Sequence, residues 1–111
     1  MLMPHLLFRG FTVDEVKQAS TPLATELAHI CECEEDNFFF EVLPTTSIIQ
    51  GEITKGYPFL EIAWFDRGVE IQDKIVQAVT TYFLNAGLEE IEIVFVTYDA
   101  RNYYYNGKHF A

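Results

Sequence analysis

The sequence predicts an α/β fold in which two β-α-β repeats form a four-stranded mixed sheet with two helices on one face and a short C-terminal hairpin. Three observations predict it. Two helical stripes, Val16-Leu23-Leu27-Ile30 and Ile71-Ile75-Ala78-Val79-Tyr82, each lie between two strand-like apolar runs. The pattern from Pro4 to Phe40 recurs from Pro58 to Val94 at an offset of 54 residues. That offset matches Leu6 with Leu60, Phe8 with Ile62, Phe39 with Ile93 and Val42 with Val96. Right-handed crossovers then put both helices on the same face of the sheet.

The first strand spans residues 4–9. Pro4 suits a strand start, where a missing N–H is tolerated. Thr12 opens the first helix, and Glu15 three residues on completes a capping-box pattern. Pro22 predicts an irregularity near residues 19–22: either Thr21 caps a second helical segment or the helix kinks. Glu32, Glu34, Glu35 and Asp36 read as a solvated acidic loop. Phe38 to Leu43 is the second strand, which Pro44 ends. Residues 45–56, with Gly51 and Gly56, read as an extended arm or hairpin.

Tyr57 to Phe65 is the third main strand. The second helix follows Arg67-Gly68 and runs to about Asn85, with Gly87 as its C-terminal cap. Ile91 to Thr97 is the fourth strand. Asn106-Gly107, flanked by aromatic residues, signals a tight type I′ hairpin in the tail.

A chain of 111 residues fits one domain, residues 1–111, with repeat halves at about 4–44 and 58–98. A chain of this length buries roughly 65% of its unfolded surface, so it needs no disulfide or metal to stay folded. The 17 acidic residues against 7 basic ones give a formal charge of −10, which repels a phosphate backbone and an anionic membrane surface alike. Nucleic acid and membrane are therefore not expected partners. No apolar run is long enough to span a bilayer, and no signal-peptide pattern opens the chain. Cys31 and Cys33, one residue apart, read as reduced thiols of a cytoplasmic protein. His29, Cys31 and Cys33 lack a fourth ligand, so no metal site is expected, and no organic cofactor is required.

Alternation assigns Leu6, Phe8, Phe40, Val42, Leu60, Ile62, Trp64, Val94 and Val96 to the helix-covered face. The opposite face then carries His5, Leu7, Arg9, Phe39, Glu41, Leu43, Phe59, Glu61, Ile93 and Phe95. That second face is too apolar for water, and no third layer remains to cover it. Subunits are expected to cover one another, with Arg9 pairing Glu41 or Glu61.

Several stretches carry a family resemblance. They are Met3-Pro4-His5-Leu6, Phe8-Arg9-Gly10, Gly56-Tyr57-Pro58, Glu61, Trp64-Phe65, Arg67, Gln72-Asp73, Asn102-Tyr103-Tyr104, Asn106-Gly107 and His109-Phe110. The chain resembles the tautomerase superfamily of 4-oxalocrotonate tautomerase and macrophage migration inhibitory factor. Among its branches it is most similar to a bacterial tautomerase-like family of no established function. The resemblance implies two β-α-β repeats, a homotrimer and a catalytic proline at the head of the first strand. That proline would be Pro4 if translation starts at Met3. The cytokine branch's active-site tyrosine and asparagine fall on Val94 and Val96, and its pocket lysine near Cys33, so none is retained.

The resemblance implies a cofactor-independent keto–enol tautomerase or isomerase of small 2-oxo acids. Pro4 would be the N-terminal general base, Arg9 and Arg67 the anion holders and Trp64 a pocket wall. An α-amino group titrates at about 7.7–8, and burial lowers that by disfavouring the charged form. If residues 1–3 remain attached, the Pro4 nitrogen is a tertiary amide and cannot act as a base. The alternative is a non-catalytic homotrimer of the same fold that binds a small ligand or a protein partner. For the individual residues the plainer expectations are structural. Pro4 begins a strand, Arg67 pairs with Asp66, Glu70 or Asp73, Arg9 joins an intersubunit ion pair, and Trp64 fills the core.

Overall fold

The computed structural model describes residues 4–111. Its central sheet has four strands in the order β2-β1-β5-β6, where β1 is His5–Arg9, β2 Phe39–Leu43, β5 Phe59–Trp64 and β6 Glu92–Thr97. β1 pairs with β2 and β5 with β6 in parallel, and the two halves meet antiparallel at β1 and β5. The long helices α1 (Val13–Cys31) and α2 (Val69–Asn85) join the parallel pairs. Their buried stripes enclose one core with Leu6, Phe8, Leu60, Ile62 and Trp64. Two hairpins stand outside the sheet, β3 (Ser47–Ile49) with β4 (Glu52–Thr54) and β7 (Tyr104–Tyr105) with β8 (Lys108–His109). Gln50-Gly51 and Asn106-Gly107 both take positive φ, as a tight primed turn requires. The expected arm at 45–56 is thus a hairpin, and it leaves Ile48, Ile49 and Ile53 exposed.

The helix ends follow from local chemistry. Thr12 Oγ1 accepts from the Glu15 N–H at 3.1 Å, and Glu15 Oε1 accepts from the Thr12 N–H at 2.7 Å, which completes the capping box. Both helices close with the same paired bonds to their last turn. Cys33 N–H reaches the Ala28 carbonyl, and Leu88 N–H reaches that of Phe83. The left-handed position is Gly87 in α2, but in α1 it is Glu32, at φ 54°. α1 runs unbroken through Pro22, so Thr21 does not begin a second segment. Pro22 cannot bond to the carbonyl one turn back. Near it, the Ser20 and Thr25 hydroxyls donate to the carbonyls of Lys17 and Thr21.

One expectation fails by a single residue. Leu60 and Ile62 pair with Ile93 and Phe95, which places those two on the helix-covered face. Val94 and Val96 point to the opposite face and are 39% and 36% exposed. Leu6 and its cross-strand partner Phe40 are 34 positions apart, whereas Leu60 and Ile93 are 33 apart. The second crossover is therefore one residue shorter than the repeat offset implies. In a strand a shift of one residue exchanges the two faces.

The open face carries three cross-strand rows: Phe39-His5-Ala63-Val96, Glu41-Leu7-Glu61-Val94 and Leu43-Arg9-Phe59-Glu92. Glu41 and Glu61 flank Leu7 rather than Arg9. The Arg9 guanidinium instead lies over the Phe59 ring, 4.7 Å from its centre. A delocalised cation on an aromatic face is favourable where a fully hydrated partner is absent. Within its own chain Arg9 therefore faces Phe59.

Candidate functional site

Pro4, Trp64 and Arg67 converge on one end of the sheet. Pro4 directly precedes β1, and its carbonyl accepts from the Phe39 N–H at 3.2 Å. The antiparallel register that pairs His5 with Ala63 brings Pro4 opposite Trp64, and Trp64 pairs in turn with Thr97. Alternation puts Pro4 on the same face as Leu6 and Phe8, toward the helices. Pro4 and Trp64 are both fully buried.

The Trp64 ring packs against Phe95 with centroids 4.9 Å apart. Among the described residues, no acceptor reaches its buried Nε1. An unpaired buried donor of this kind costs about 1–3 kcal/mol, which an acceptor entering from a ligand or water would recover.

Arg67 lies three residues beyond β5, where the antiparallel strand has returned to the start of β1. Its Nη1 donates to the carbonyl oxygen of Cys31, the last residue of α1, at 3.3 Å. The expected carboxylate partners do not hold it. Asp66 Oδ1 instead accepts from the Gly68 N–H at 2.8 Å, in a turn that starts α2. A cation at the C-terminus of α1 meets the negative end of the helix dipole and an otherwise unpaired carbonyl. Nearby, the first turn of α2 has no side-chain cap.

Arg9 stands apart from this group. It is at the far end of β1, about 17 Å along the strand from Pro4 at the usual rise per residue, and on the open face. Within one chain Pro4, Trp64 and Arg67 lie at the same end of the sheet, and Arg9 lies at the other.

Sequence reasoning did not include Thr97 or the α1 C-terminus in the site. Both enter through strand register and helix packing, to which local sequence pattern is blind. A cleft of about 910 Å³ opens beside this end, between the C-terminus of α1 and the first turns of α2. His29, Cys33, Glu34, Glu35, Ile71 and Lys74 form part of its wall, and Pro4 does not.

Burial raises the pKa of the Cys31 thiol, the Arg67 guanidinium beside it lowers that pKa in part, and Cys33 adds to the rise. Among the described residues, no group of three or more His, Cys, Asp or Glu side chains could hold a metal ion, and no helix is long and apolar enough to cross a membrane.

Two β-α-β units in antiparallel register, with a buried proline heading the first strand, define the class: this is a tautomerase-type fold. The chain belongs to the family described as Domain of unknown function (DUF1904), whose model matches residues 3–109. A member of that family from Sebaldella termitidis superposes with a TM-score of 0.89 at 37% identity, covering 97% of this chain and 100% of its own. The macrophage migration inhibitory factor-like protein of Entamoeba histolytica is similar at a TM-score of 0.72 and 18% identity, covering 97% and 99%. The fused 4-OT wild-type asymmetric trimer is similar at 0.76 and 11%, covering 96% and 95%. At these two identities the likeness shows the fold alone. No curated protein sequence matches the chain.

Proposed function

We propose that this chain is a cytoplasmic homotrimer whose ligand site is the Pro4 end of the sheet. With a free amine at Pro4, it acts as a cofactor-independent keto–enol tautomerase of small 2-oxo acids. The observation that carries the reading is the buried Pro4 opposite Trp64, whose Nε1 has no acceptor among the described residues, with Arg67 at the same end. Burial favours an uncharged amine, and an uncharged secondary amine is a general base near neutral pH. It takes a proton from the enol oxygen and returns it at the carbon next to the carbonyl group, or the reverse, so no redox step or cofactor enters. Arg67 spends one Nη on the Cys31 carbonyl and keeps further N–H donors for a carboxylate.

The open apolar face supports self-association, and the fused 4-OT protein of similar fold is an asymmetric trimer.

The chemistry requires a molecule that begins at Pro4. Residues 1–3, on which that depends, lie outside the described residues. Intact-mass measurement of natively expressed protein is the first test. A mass beginning at Pro4 supports the amine base, and a mass that includes Met1–Met3 rejects it. Ketonization of phenylenolpyruvate is the second. Activity lost in Pro4→Ala supports the assigned base, and unchanged turnover rejects it.

A non-catalytic homotrimer that binds a ligand or a protein partner is the second reading. It is favoured by Arg67, which is already bonded to Cys31, and by Arg9, which is stacked on Phe59.

A further inference from the structure

We propose that the groove between α1 and α2, on the outer side of the helical layer, docks a basic amphipathic helix of a partner protein. Two cavities make the groove. The 910 Å³ cleft at the C-terminal end of α1 and a cavity of about 400 Å³ farther along share Ile30 and Lys74 as walls. On α2 the lining runs from Ile71 to Thr81, which is about 15 Å along the axis, or about three turns of a docked helix. Ala28 and Ala78 are buried in the walls, and Ile30 and Ile71 are half-buried. The small alanines leave room for another chain to come close, and the two isoleucines offer it apolar surface. This suits the helix-in-groove mode, in which apolar anchors on one face of a helix fill a furrow.

Charge decides the kind of partner. Glu26, Glu32, Glu34, Glu35 and Asp73 line the groove, and among the described residues Lys74 is the one lysine that faces them there. The negative end of the α1 dipole adds to the same field. Lysines or arginines beside an apolar stripe meet these carboxylates, which steers the encounter and fixes the register of docking. An acidic helix is repelled. A second copy of this chain does not supply the occupant, because α1 and α2 carry one lysine each and no arginine. Access fits as well. The sheet lies between this groove and the open face, so subunits that cover one another there leave the groove in water. The proposal rests on the second reading above, a protein partner, and deepens it by naming the surface and the partner's chemistry. It does not depend on an amine at Pro4.

The test is fluorescence anisotropy of the full-length native chain with a labelled probe helix of about three turns, leucine along one helical stripe and lysine elsewhere. Two controls accompany it: a scramble of the same composition, and the same helix with glutamate in place of lysine. The expected result is one probe per chain, with affinity that falls as salt rises. The scramble is expected to bind at least about 10-fold more weakly, and the glutamate helix not at all. Glu34→Lys combined with Glu35→Lys, both at exposed positions, is expected to weaken binding about 10-fold with an unchanged circular dichroism spectrum. Leu7→Glu, on the opposite face of the sheet, is expected to bind as the native chain does. No binding by the native chain overturns the proposal. So does equal binding of the scramble, since charge alone then explains it, and so does binding of the glutamate helix or affinity unchanged by the Glu34 and Glu35 reversals. Binding lost in Leu7→Glu but kept in the groove variant keeps the protein-partner reading and rejects this surface.

Discussion

The ring of Phe95 stands over that of Trp64 with centroids 4.9 Å apart and planes tilted by 52°. This contact sets the phase of β6. It draws Phe95 and Ile93 to the core and turns Val94 and Val96 outward. Because Phe95 is half-buried, Phe95→Ala is expected to destabilise the chain by about 2–3 kcal/mol, somewhat below a fully buried Phe→Ala change. Val94→Ala removes little from the core and is expected to cost under about 1 kcal/mol. Urea unfolding at a fixed protein concentration compares the two, and equal costs would contradict this phase.

Leu7 lies at the centre of the open face between Glu41 and Glu61. Leu7→Glu adds a third carboxylate in that row, where a covering subunit would have to desolvate all three. Light scattering is expected to show the native chain as a trimer and Leu7→Glu as a monomer. A native chain that is monomeric at micromolar concentration would contradict self-association through this face.

Cys31 ties the pH response to Arg67. Its thiol has a raised pKa in the folded chain, so the folded state favours the protonated form. The stability this contributes is full below the unfolded thiol value of about 8.5 and is lost as pH rises through the folded value. Arg67 lowers the thiol pKa in part, so Arg67→Gln is expected to move the pH profile of Cys31 alkylation upward. Cys33→Ala protein reports this thiol alone. A downward shift in Arg67→Gln would show that the guanidinium does not act on it.

Glu32 occupies a left-handed position that glycine fills in α2, and it places a negative charge at the negative end of α1. Glu32→Gly relieves both and is expected to stabilise the chain by about 1 kcal/mol, raising Tm by roughly 4–8 °C. At the other end of α1, Thr12→Ala removes the capping hydroxyl and is expected to cost about 1 kcal/mol. Calorimetry of the two variants should move Tm in opposite directions.

Much of this fold is written in short-range chemistry. Thr12 with Glu15, the Asn106-Gly107 turn and Gly87 behind α2 each depend on a few neighbouring residues, so the sequence alone was enough to place them. The two helical stripes and the two β-α-β halves were legible because periodicity survives in any context. The tertiary structure decided the phase of β6. Residues 91–97 are apolar on both faces of the strand, so alternation marks a strand there without saying which side faces the helices. Only the length of the second crossover and the packing of Phe95 on Trp64 choose. The candidate site divides in the same way. Pro4 and Trp64 stood out in the sequence as a strand-start proline and a core tryptophan. That Arg67 joins them on the end of α1 while Arg9 stacks on Phe59 at the opposite end depends on strand direction and helix docking, which bring together residues distant in the chain.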